Sequence, residues 1–199
     1  MGQFEIEIKL PVKNRQEVSD ILKDLGFTFQ KELQEEDIYF NSEFRDIKER
    51  DEALRIRRSL DCTSGEKKAQ INFKGPKIDS VSMSRMELET EVEDGEILKN
   101  ILCSLGFYPV AAVNKTRKYL ALGNITACLD QVAGLGDFLE LEILTEDEEQ
   151  REQCLEQISD ILETLGCSMK DTVRTSYLGM LMERKQNNGV EARQTVMVE

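Results

Sequence analysis

The sequence predicts an α+β protein in which an eight-stranded, mainly antiparallel β-barrel closes into a tunnel and helices pack outside it. Charged residues alternate with largely apolar ones in several separate segments, from FEIEIKL near the start to FLELEIL late in the chain. Period-2 alternation is typical of strands that bury one face. Three amphipathic segments, each followed by glycine, are typical of helices that would cover the apolar face.

Eight segments have the composition and alternation of strands. They are residues 3–10, 36–41, 52–60, 67–75, 83–93, 108–121, 124–131 and 137–144. The first two helical segments each follow a charged strand and precede further strands. The chain is therefore predicted to consist of two related halves.

The three helical segments end in the same way, at Gly26, Gly106 and Gly166. Glycine adopts the left-handed conformation that often closes a helix, and the residue after it folds back onto the last turn. A final helix is expected at about 170–184. We expect residues 1–184 to form one domain and the polar tail, 185–199, to be disordered.

The composition excludes several classes of function. The net charge of −13 disfavours binding to nucleic acid polymers and to anionic membranes. Five cysteines without CxxC spacing predict reduced thiols, and the absence of a leader or a long apolar run predicts a cytoplasmic protein. Because histidine is absent, a metal would be held by carboxylate oxygens, which favours Mg²⁺ or Mn²⁺.

One parity of the predicted strands collects the charged residues on a single face. This set contains Glu5, Glu7, Lys9, Arg55, Arg57, Asn72, Lys74, Arg85, Glu87, Glu89, Lys115, Arg117, Asp130, Glu140 and Glu142. Such a face is either a solvated sheet surface with cross-strand ion pairs or the wall of an enclosed tunnel. The concentration of arginine and paired carboxylates favours the tunnel, since eight strands suffice to close a barrel.

The charges of this face suggest a class of ligand. Seven basic and seven acidic residues cancel, so two bound divalent cations would leave a charge of about +4, which matches a fully ionised nucleoside triphosphate. Arginine binds phosphate oxygens in a bidentate way and lysine supplies a point charge.

Motifs in the same order resemble the CYTH superfamily of triphosphate tunnel metalloenzymes, and within it the branch similar to class IV adenylyl cyclases. The resemblance spans roughly residues 4–181 and is carried by the opening ExExK at Glu5, Glu7 and Lys9, and by 36–41, 53–57, 73–76, 85–89, 115–117, 129–142 and 176–178. It implies a closed tunnel of eight strands. The block LDQVAGLGDFLELE at 129–142 is the part most similar to the cyclase branch.

The resemblance also implies roles for individual residues. It makes metal ligands of Glu5, Glu7, Asp130, Glu140 and Glu142, and triphosphate ligands of Lys9, Arg55, Arg57, Lys74, Arg85, Lys115 and Arg117. Lys9 and Arg117 are also expected to act in catalysis, whereas Glu87 and Glu89 fit the motif either as metal ligands or as partners of basic residues.

The activity expected from the resemblance is a Mg²⁺- or Mn²⁺-dependent adenylyl cyclase acting on ATP. The alternatives are a triphosphatase that hydrolyses tripolyphosphate, thiamine triphosphate or a nucleotide, and a polyphosphate- or nucleotide-binding protein without turnover. A homodimer, if one forms, would use the helices, since a closed barrel leaves few strand edges for pairing.

Overall fold

The strands and helices follow one another in two similar series. The computed structural model describes residues 3–77, 85–145 and 148–195. The strands are β1 (Gln3–Pro11), β2 (Thr28–Ser42), β3 (Ala53–Asp61), β4 (Lys67–Lys74), β5 (Arg85–Val92), β6 (Phe107–Leu122), β7 (Ile125–Val132) and β8 (Gly136–Thr145). The helices are α1 (Arg15–Asp24), α2 (Gly95–Ser104), α3 (Arg151–Thr164) and α4 (Tyr177–Thr195), with short 3-10 turns at Glu148–Gln150 and Met169–Asp171.

The eight strands form a closed barrel in the order β1-β5-β4-β3-β2-β6-β7-β8, and every pairing is antiparallel. The predicted α+β fold with a closed barrel is confirmed. Exchanging β1–β4 with β5–β8 reproduces the same cyclic order in reverse. The topology therefore has the two-fold symmetry expected of two related halves.

Hydrogen-bond register aligns the charged residues of neighbouring strands. Glu7 lies opposite Glu142 on β8, and Lys9 lies opposite Glu140. Directly opposed residues point to the same side of a sheet. The charged parity therefore turns inward on all sides of the barrel, and the apolar parity turns outward.

Two apolar clusters fill the space between the barrel and its helices, and a third lies on the inner side of the barrel. Helices α1 and α3 contribute Leu22, Ile158 and Leu162 to the cluster that covers β1, β7 and β8. Helix α2 contributes Leu102 to a second cluster over β2 and β3. The third joins Tyr177 of α4 to strand residues of the inward parity, such as Val132 and Phe138. Burial of these faces is the main apolar contribution to folding, at about 25 cal/mol per Å².

The helix ends behave as their sequence predicts. The N–H of Gly26 donates to the Lys23 carbonyl at 2.9 Å, and that of Phe27 donates to the Leu22 carbonyl at 3.0 Å. Gly26 has φ +96°, and Phe27 is buried. This pair of bonds satisfies carbonyls that the last turn leaves unpaired, so the helix ends at a defined place.

Two elements differ from the predicted ones. Strand β2 begins at Thr28 rather than near 36, because it continues to pair with β6 through a bulge between Phe29 and Lys31 that interrupts the alternation. The helix expected over 170–184 is instead the turn Met169–Asp171 followed by α4.

Helix α4 extends past residue 184, the expected end of the domain, while the disorder expected of 185–199 stays a prediction. Helix α4 continues from Lys185 to Thr195, and residues 196–199 lie outside the described residues. A helix satisfies its own backbone hydrogen bonds, so polar residues without proline can extend it.

Two further features concern the cysteines and the apolar character of the helices. All five cysteines are free thiols, as predicted. Across the described ranges, no helix combines the length and apolar character needed to cross a bilayer.

We predict that Ile158→Ala in α3 lowers the free energy of unfolding by about 2–4 kcal/mol, because the side chain is fully buried in the cluster over β1, β7 and β8. The matched control is Ile97→Ala in α2, whose side chain is 59% exposed and should cost less than about 0.5 kcal/mol. Urea denaturation of both variants measures the difference. Equal losses would show that α3 does not pack as described.

Candidate active site

The interior of the barrel is a cavity of about 1260 Å³. Eleven of the twelve residues expected to bind metal or triphosphate line it: Glu5, Glu7, Lys9, Arg55, Arg57, Lys74, Arg85, Lys115, Arg117, Glu140 and Glu142. Asp130 is the exception, since it is fully buried in the wall behind the lining. The volume is sufficient for a nucleotide.

Three carboxylates converge on one side of the cavity. Oxygen atoms of Glu5, Glu7 and Glu142 all lie within 4.8 Å of one another. Burial, opposed by Arg117 and assisted by the neighbouring Glu140 and Glu7, raises the pKa of Glu142 to about 7. Burial likewise raises the pKa of Glu5 well above its ordinary value. The group therefore has more negative charge than its surroundings neutralise.

This donor set suits a hard divalent cation. Mg²⁺ and Mn²⁺ prefer carboxylate oxygens, and a cation between three buried carboxylates would offset their mutual repulsion. Within the described ranges, these residues are the one group of three acidic, cysteine or histidine side chains close enough to share an ion.

Lys74 joins this carboxylate group to the adjacent strand. Its Nζ contacts Glu5, lies 3.8 Å from Glu7 Oε2 and 3.1 Å from Glu87 Oε2. Burial would raise the pKa of Glu87, but Lys74 and Arg55 hold it at about 2. Glu87 is therefore ionised and paired with a basic residue, which is one of the two roles left open by its motif.

Arg117 is held by a second carboxylate cluster. Its Nε donates to Asp130 Oδ1 at 2.6 Å and its Nη2 to Asp130 Oδ2 at 2.5 Å, and Nη2 also contacts Glu140. Nη1 reaches Glu142 Oε1 at 3.4 Å. Asp130 thus holds Arg117 in a bidentate pair. The remaining nitrogen, Nη1, is directed at Glu142 of the three-carboxylate group.

Lys9 completes this cluster. Its Nζ lies 2.8 Å from Glu140 Oε1 and 3.3 Å from Glu7 Oε1. Burial would raise the pKa of Glu140, but Arg117 and Lys9 hold it well below its usual range. Glu140 and Asp130 are therefore occupied by basic side chains, whereas Glu5, Glu7 and Glu142 are the carboxylates with surplus charge.

Strand β2 supplies two acidic residues that sequence reasoning missed. Asp37 accepts from Arg57 Nε at 2.6 Å and from Nη2 at 2.8 Å, and from Arg55 Nη1 at 3.2 Å. Glu35 lies 3.3 Å from Arg57 and 3.4 Å from Lys115. Burial would raise the pKa of Glu35, but Arg57 and Lys115 hold it at about 2.

A signal for these residues was present in the sequence. Glu35, Asp37 and Tyr39 share one parity, and the alternate residues Ile38 and Phe40 pack under α2. The consecutive acids at 35–37 hid the alternation. Adding Glu35 and Asp37 to the predicted set gives nine acidic and seven basic residues, so the formal charge of that set is −2 and not the neutral sum expected.

The remaining basic ligand, Arg85, occupies the start of β5. Its Nη1 donates to the carbonyl of Gly75 at 3.2 Å and to that of Asp51 at 3.4 Å. These contacts place a guanidinium where β5 meets the loop before β3.

Helix α4 closes part of the cavity with Tyr177. The Tyr177 hydroxyl donates to Asp130 Oδ2 at 2.8 Å, and Lys9 Nζ lies 4.4 Å from the ring centroid. The hydrogen bond and the cation–π contact tie α4 to the cluster around Arg117. Neither contact was predicted, because they join segments far apart in the sequence.

Comparisons with known proteins agree with this geometry. Residues 3–177 match the family described as "CYTH domain". The chain is 41% identical over 175 residues to "Putative adenylate cyclase MJ0240" of Methanocaldococcus jannaschii, covering 88% of this chain and 97% of that protein. It is 28% identical to "Adenylate cyclase CyaB" of Aeromonas hydrophila, with coverage of 88% and 87%.

A solved structure shares the architecture. The PH1819 protein of Pyrococcus horikoshii OT3 superposes with a TM-score of 0.82 at 35% identity, covering 90% of this chain and 99% of that one. The match of residues 3–177, the relatives and the closed charged barrel lead to one conclusion. This chain belongs to the CYTH domain family, in the branch whose members resemble class IV adenylyl cyclases.

Proposed function

We propose that this protein is a divalent-cation-dependent adenylyl cyclase that converts ATP into cyclic AMP and pyrophosphate. One observation carries the proposal: three surplus carboxylates face a dense set of buried arginine and lysine side chains across a single cavity. That combination suits a metal–triphosphate complex. The names of the relatives make ATP the favoured substrate.

Glu5, Glu7 and Glu142 would hold Mg²⁺ or Mn²⁺. When bound, such a cation supplies a Lewis acid that offsets phosphate charge and lowers the pKa of a nearby hydroxyl. Asp130 and Glu140, also expected as metal ligands, are assigned here to orienting Arg117 and Lys9, because their oxygens already accept hydrogen bonds from those residues.

The basic residues bind the triphosphate. Arg55, Arg57 and Lys115 lie along β3 and β6 beside Glu35 and Asp37. Lys74 and Arg85 lie nearer the metal ligands. A phosphate that enters would share or replace carboxylate partners of these side chains, so binding rearranges existing ion pairs instead of creating buried charge.

The proposed reaction is an intramolecular displacement. The ribose 3′-oxygen forms a bond to the α-phosphorus, the bond to the β-phosphate bridging oxygen breaks, and pyrophosphate leaves with that electron pair. The hydroxyl proton is lost to solvent. Arg117 and Lys9, fixed by carboxylates at the cavity wall, stabilise the charge that develops on the transferred group and on pyrophosphate.

Hydrolysis at the same site is the second candidate. The cavity of about 1260 Å³ leaves room for water beside a bound triphosphate. Attack by water on the terminal phosphorus of ATP, thiamine triphosphate or tripolyphosphate would use the same cation and the same basic residues. The identity of the products separates the two reactions.

We predict that the purified protein with Mg²⁺ or Mn²⁺ forms cyclic AMP and pyrophosphate from ATP in equal amounts. Chromatography of the nucleotides and a separate assay of orthophosphate measure both reactions. Chelation with EDTA should stop product formation. Release of orthophosphate without cyclic AMP would assign hydrolysis instead, and tight ATP binding without any product would indicate a binding protein.

We predict that Glu142→Gln stabilises the metal-free protein while abolishing turnover. Since the folded pKa of Glu142 is about 7 and its ordinary value is 4.5, the folded state retains a proton that the unfolded state loses. Stability from this group is therefore complete below pH 4.5 and declines as pH rises through 7. Urea denaturation between pH 5 and 8 should show a smaller decline in the variant than in the wild type.

The control for Glu142→Gln is Glu163→Gln, which removes the same charge from an exposed position on α3. It should change neither the pH dependence nor turnover. A Glu142→Gln protein with wild-type activity would show that this carboxylate has no part in the reaction.

We predict that Arg57→Ala lowers the free energy of unfolding by about 3–5 kcal/mol, because it leaves Asp37 and Glu35 short of their closest cation. Adding Asp37→Asn should recover part of that loss. A double-mutant cycle measured by urea denaturation tests the coupling. Additive effects of the two substitutions would contradict the described ion pair.

A further inference from the structure

Three buried polar atoms of the cavity wall have no hydrogen-bond partner among the described residues: Oε2 of Glu35, Nε of Arg55 and Oδ1 of Asn72. Glu35 Oε2 still forms ion pairs with Arg57 and Lys115, so Nε of Arg55 and Oδ1 of Asn72 are the two that need explanation. Arg55 on β3 lies directly opposite Asn72 on β4, and both residues line the cavity. Asn72 is fully buried. An unpaired donor and an unpaired acceptor therefore sit side by side.

The orientation of the Asn72 amide is fixed by its neighbours. Its Nδ2 donates to Glu87 and, at 3.1 Å, to Glu89 Oε2. Reversing the amide would place Oδ1 against two carboxylates and remove both hydrogen bonds. The amide oxygen is consequently the atom left without a donor.

The orientation of Arg55 is set in the same way. Its Nη1 donates to Asp37 Oδ2 at 3.2 Å and to the Tyr39 hydroxyl at 3.4 Å. This edge of the guanidinium is therefore directed at β2. The Nε–H on the other side of the group remains available.

Unpaired buried polar atoms are unfavourable, by about 1–3 kcal/mol each, so such a pair is expected to have a partner in the working protein. An ionised phosphate accepts hydrogen bonds but donates none. It would satisfy Arg55 Nε and would be repelled by Asn72 Oδ1. A metal cation would suit the amide oxygen but would be repelled by the adjacent guanidinium.

The remaining chemistry is a group that donates and accepts at neighbouring positions. We propose that Asn72 Oδ1 and Arg55 Nε bind such a group on the organic part of a nucleoside triphosphate, either a ribose hydroxyl or the 6-amino edge of a purine, while the Nη nitrogens of Arg55 remain for the triphosphate. This inference rests on the proposed function, because it assumes a nucleotide in the tunnel. It makes Asn72 the residue that distinguishes a nucleotide from inorganic tripolyphosphate.

The experiment compares ligands with and without the organic group. Dissociation constants for ATP and for tripolyphosphate are measured by calorimetry, without added divalent cation, for the wild type and for Asn72→Ala. We expect ATP to bind about five- to tenfold more weakly to the variant, as loss of one hydrogen bond implies. Tripolyphosphate should change by less than about twofold. The matched control, Asn114→Ala, makes the same substitution at an exposed position of β6 and should leave both constants unchanged.

Equal weakening of both ligands would show that Asn72 acts only by holding Glu87 and Glu89, and would overturn the inference. Unchanged binding of ATP would do the same, since it would indicate that water alone occupies the pair. If Asn72→Ala does not fold, binding of nucleotide analogues to the wild type tests the inference instead. Weaker binding of 2′-deoxy-ATP or 3′-deoxy-ATP than of ATP would support a contact with a ribose hydroxyl. Weaker binding of inosine triphosphate than of ATP would support a contact with the 6-amino edge. Equal affinity for all four nucleotides would overturn both forms of the inference.

The same binding measurements, together with the assay of cyclic AMP in the presence of Mg²⁺ or Mn²⁺, separate this inference from the proposed reaction. A wild type that binds ATP, shows the Asn72 effect and forms no cyclic AMP with either cation would contradict the reaction while supporting the nucleotide contact. A wild type that forms cyclic AMP but loses no selectivity in Asn72→Ala would contradict the contact alone. Absence of ATP binding to the wild type both with and without divalent cation would overturn both.

Discussion

The pairing of charges inside a closed barrel is the constraint on which the rest of the structure depends. Most of the charged side chains that face inward are buried, and an unpaired charge among them would be strongly unfavourable. Arg57 with Asp37, and Arg117 with Asp130, meet this requirement through bidentate hydrogen bonds. These pairs hold the wall of the barrel in place. The carboxylates whose charge exceeds that of their basic neighbours, Glu5, Glu7 and Glu142, are therefore the ones available to bind a cation.

The order of strands explains on which side of the tunnel the acidic residues outnumber the basic ones. Strands β8, β1 and β5 are neighbours, and each carries inward carboxylates, so acidic residues accumulate on that side of the tunnel. On the other side, acidic β2 lies between basic β3 and basic β6. Glu35 and Asp37 therefore have their pKa values held low by arginine and lysine, whereas those of Glu5 and Glu142 are raised by burial and by neighbouring carboxylates, Glu7 among them.

This arrangement is unfavourable for the empty protein and useful for a cationic ligand. A cation bound among Glu5, Glu7 and Glu142 would relieve the repulsion on the acidic side, and a polyphosphate would then bridge that cation to the basic residues opposite. Proteins often have reduced folding stability at a functional site. This protein can tolerate the repulsion among these carboxylates because the buried ion pairs around Arg117 keep the surrounding wall in place.

The sequence predicted most of the inner face because period-2 alternation is visible in every strand except β2, where a bulge and consecutive acidic residues hide it. The parity of Glu5, Arg57, Arg117 and Glu142 was sufficient to bring them together. The partners of these residues were less predictable, because cross-strand register depends on pairing between distant segments. Glu35 and Asp37 were missed within a run of consecutive acids, and Tyr177 reaches Asp130 only through the tertiary position of α4.

The most direct test is the position of a bound cation. Crystals soaked in Mn²⁺ and measured for anomalous scattering would locate the ion without any assumption about the reaction. The account predicts a peak between the carboxylates of Glu5, Glu7 and Glu142, with Asp130 and Glu140 still bonded to Arg117. A peak that is coordinated by Asp130 and Glu140 instead, with Arg117 displaced, would contradict it.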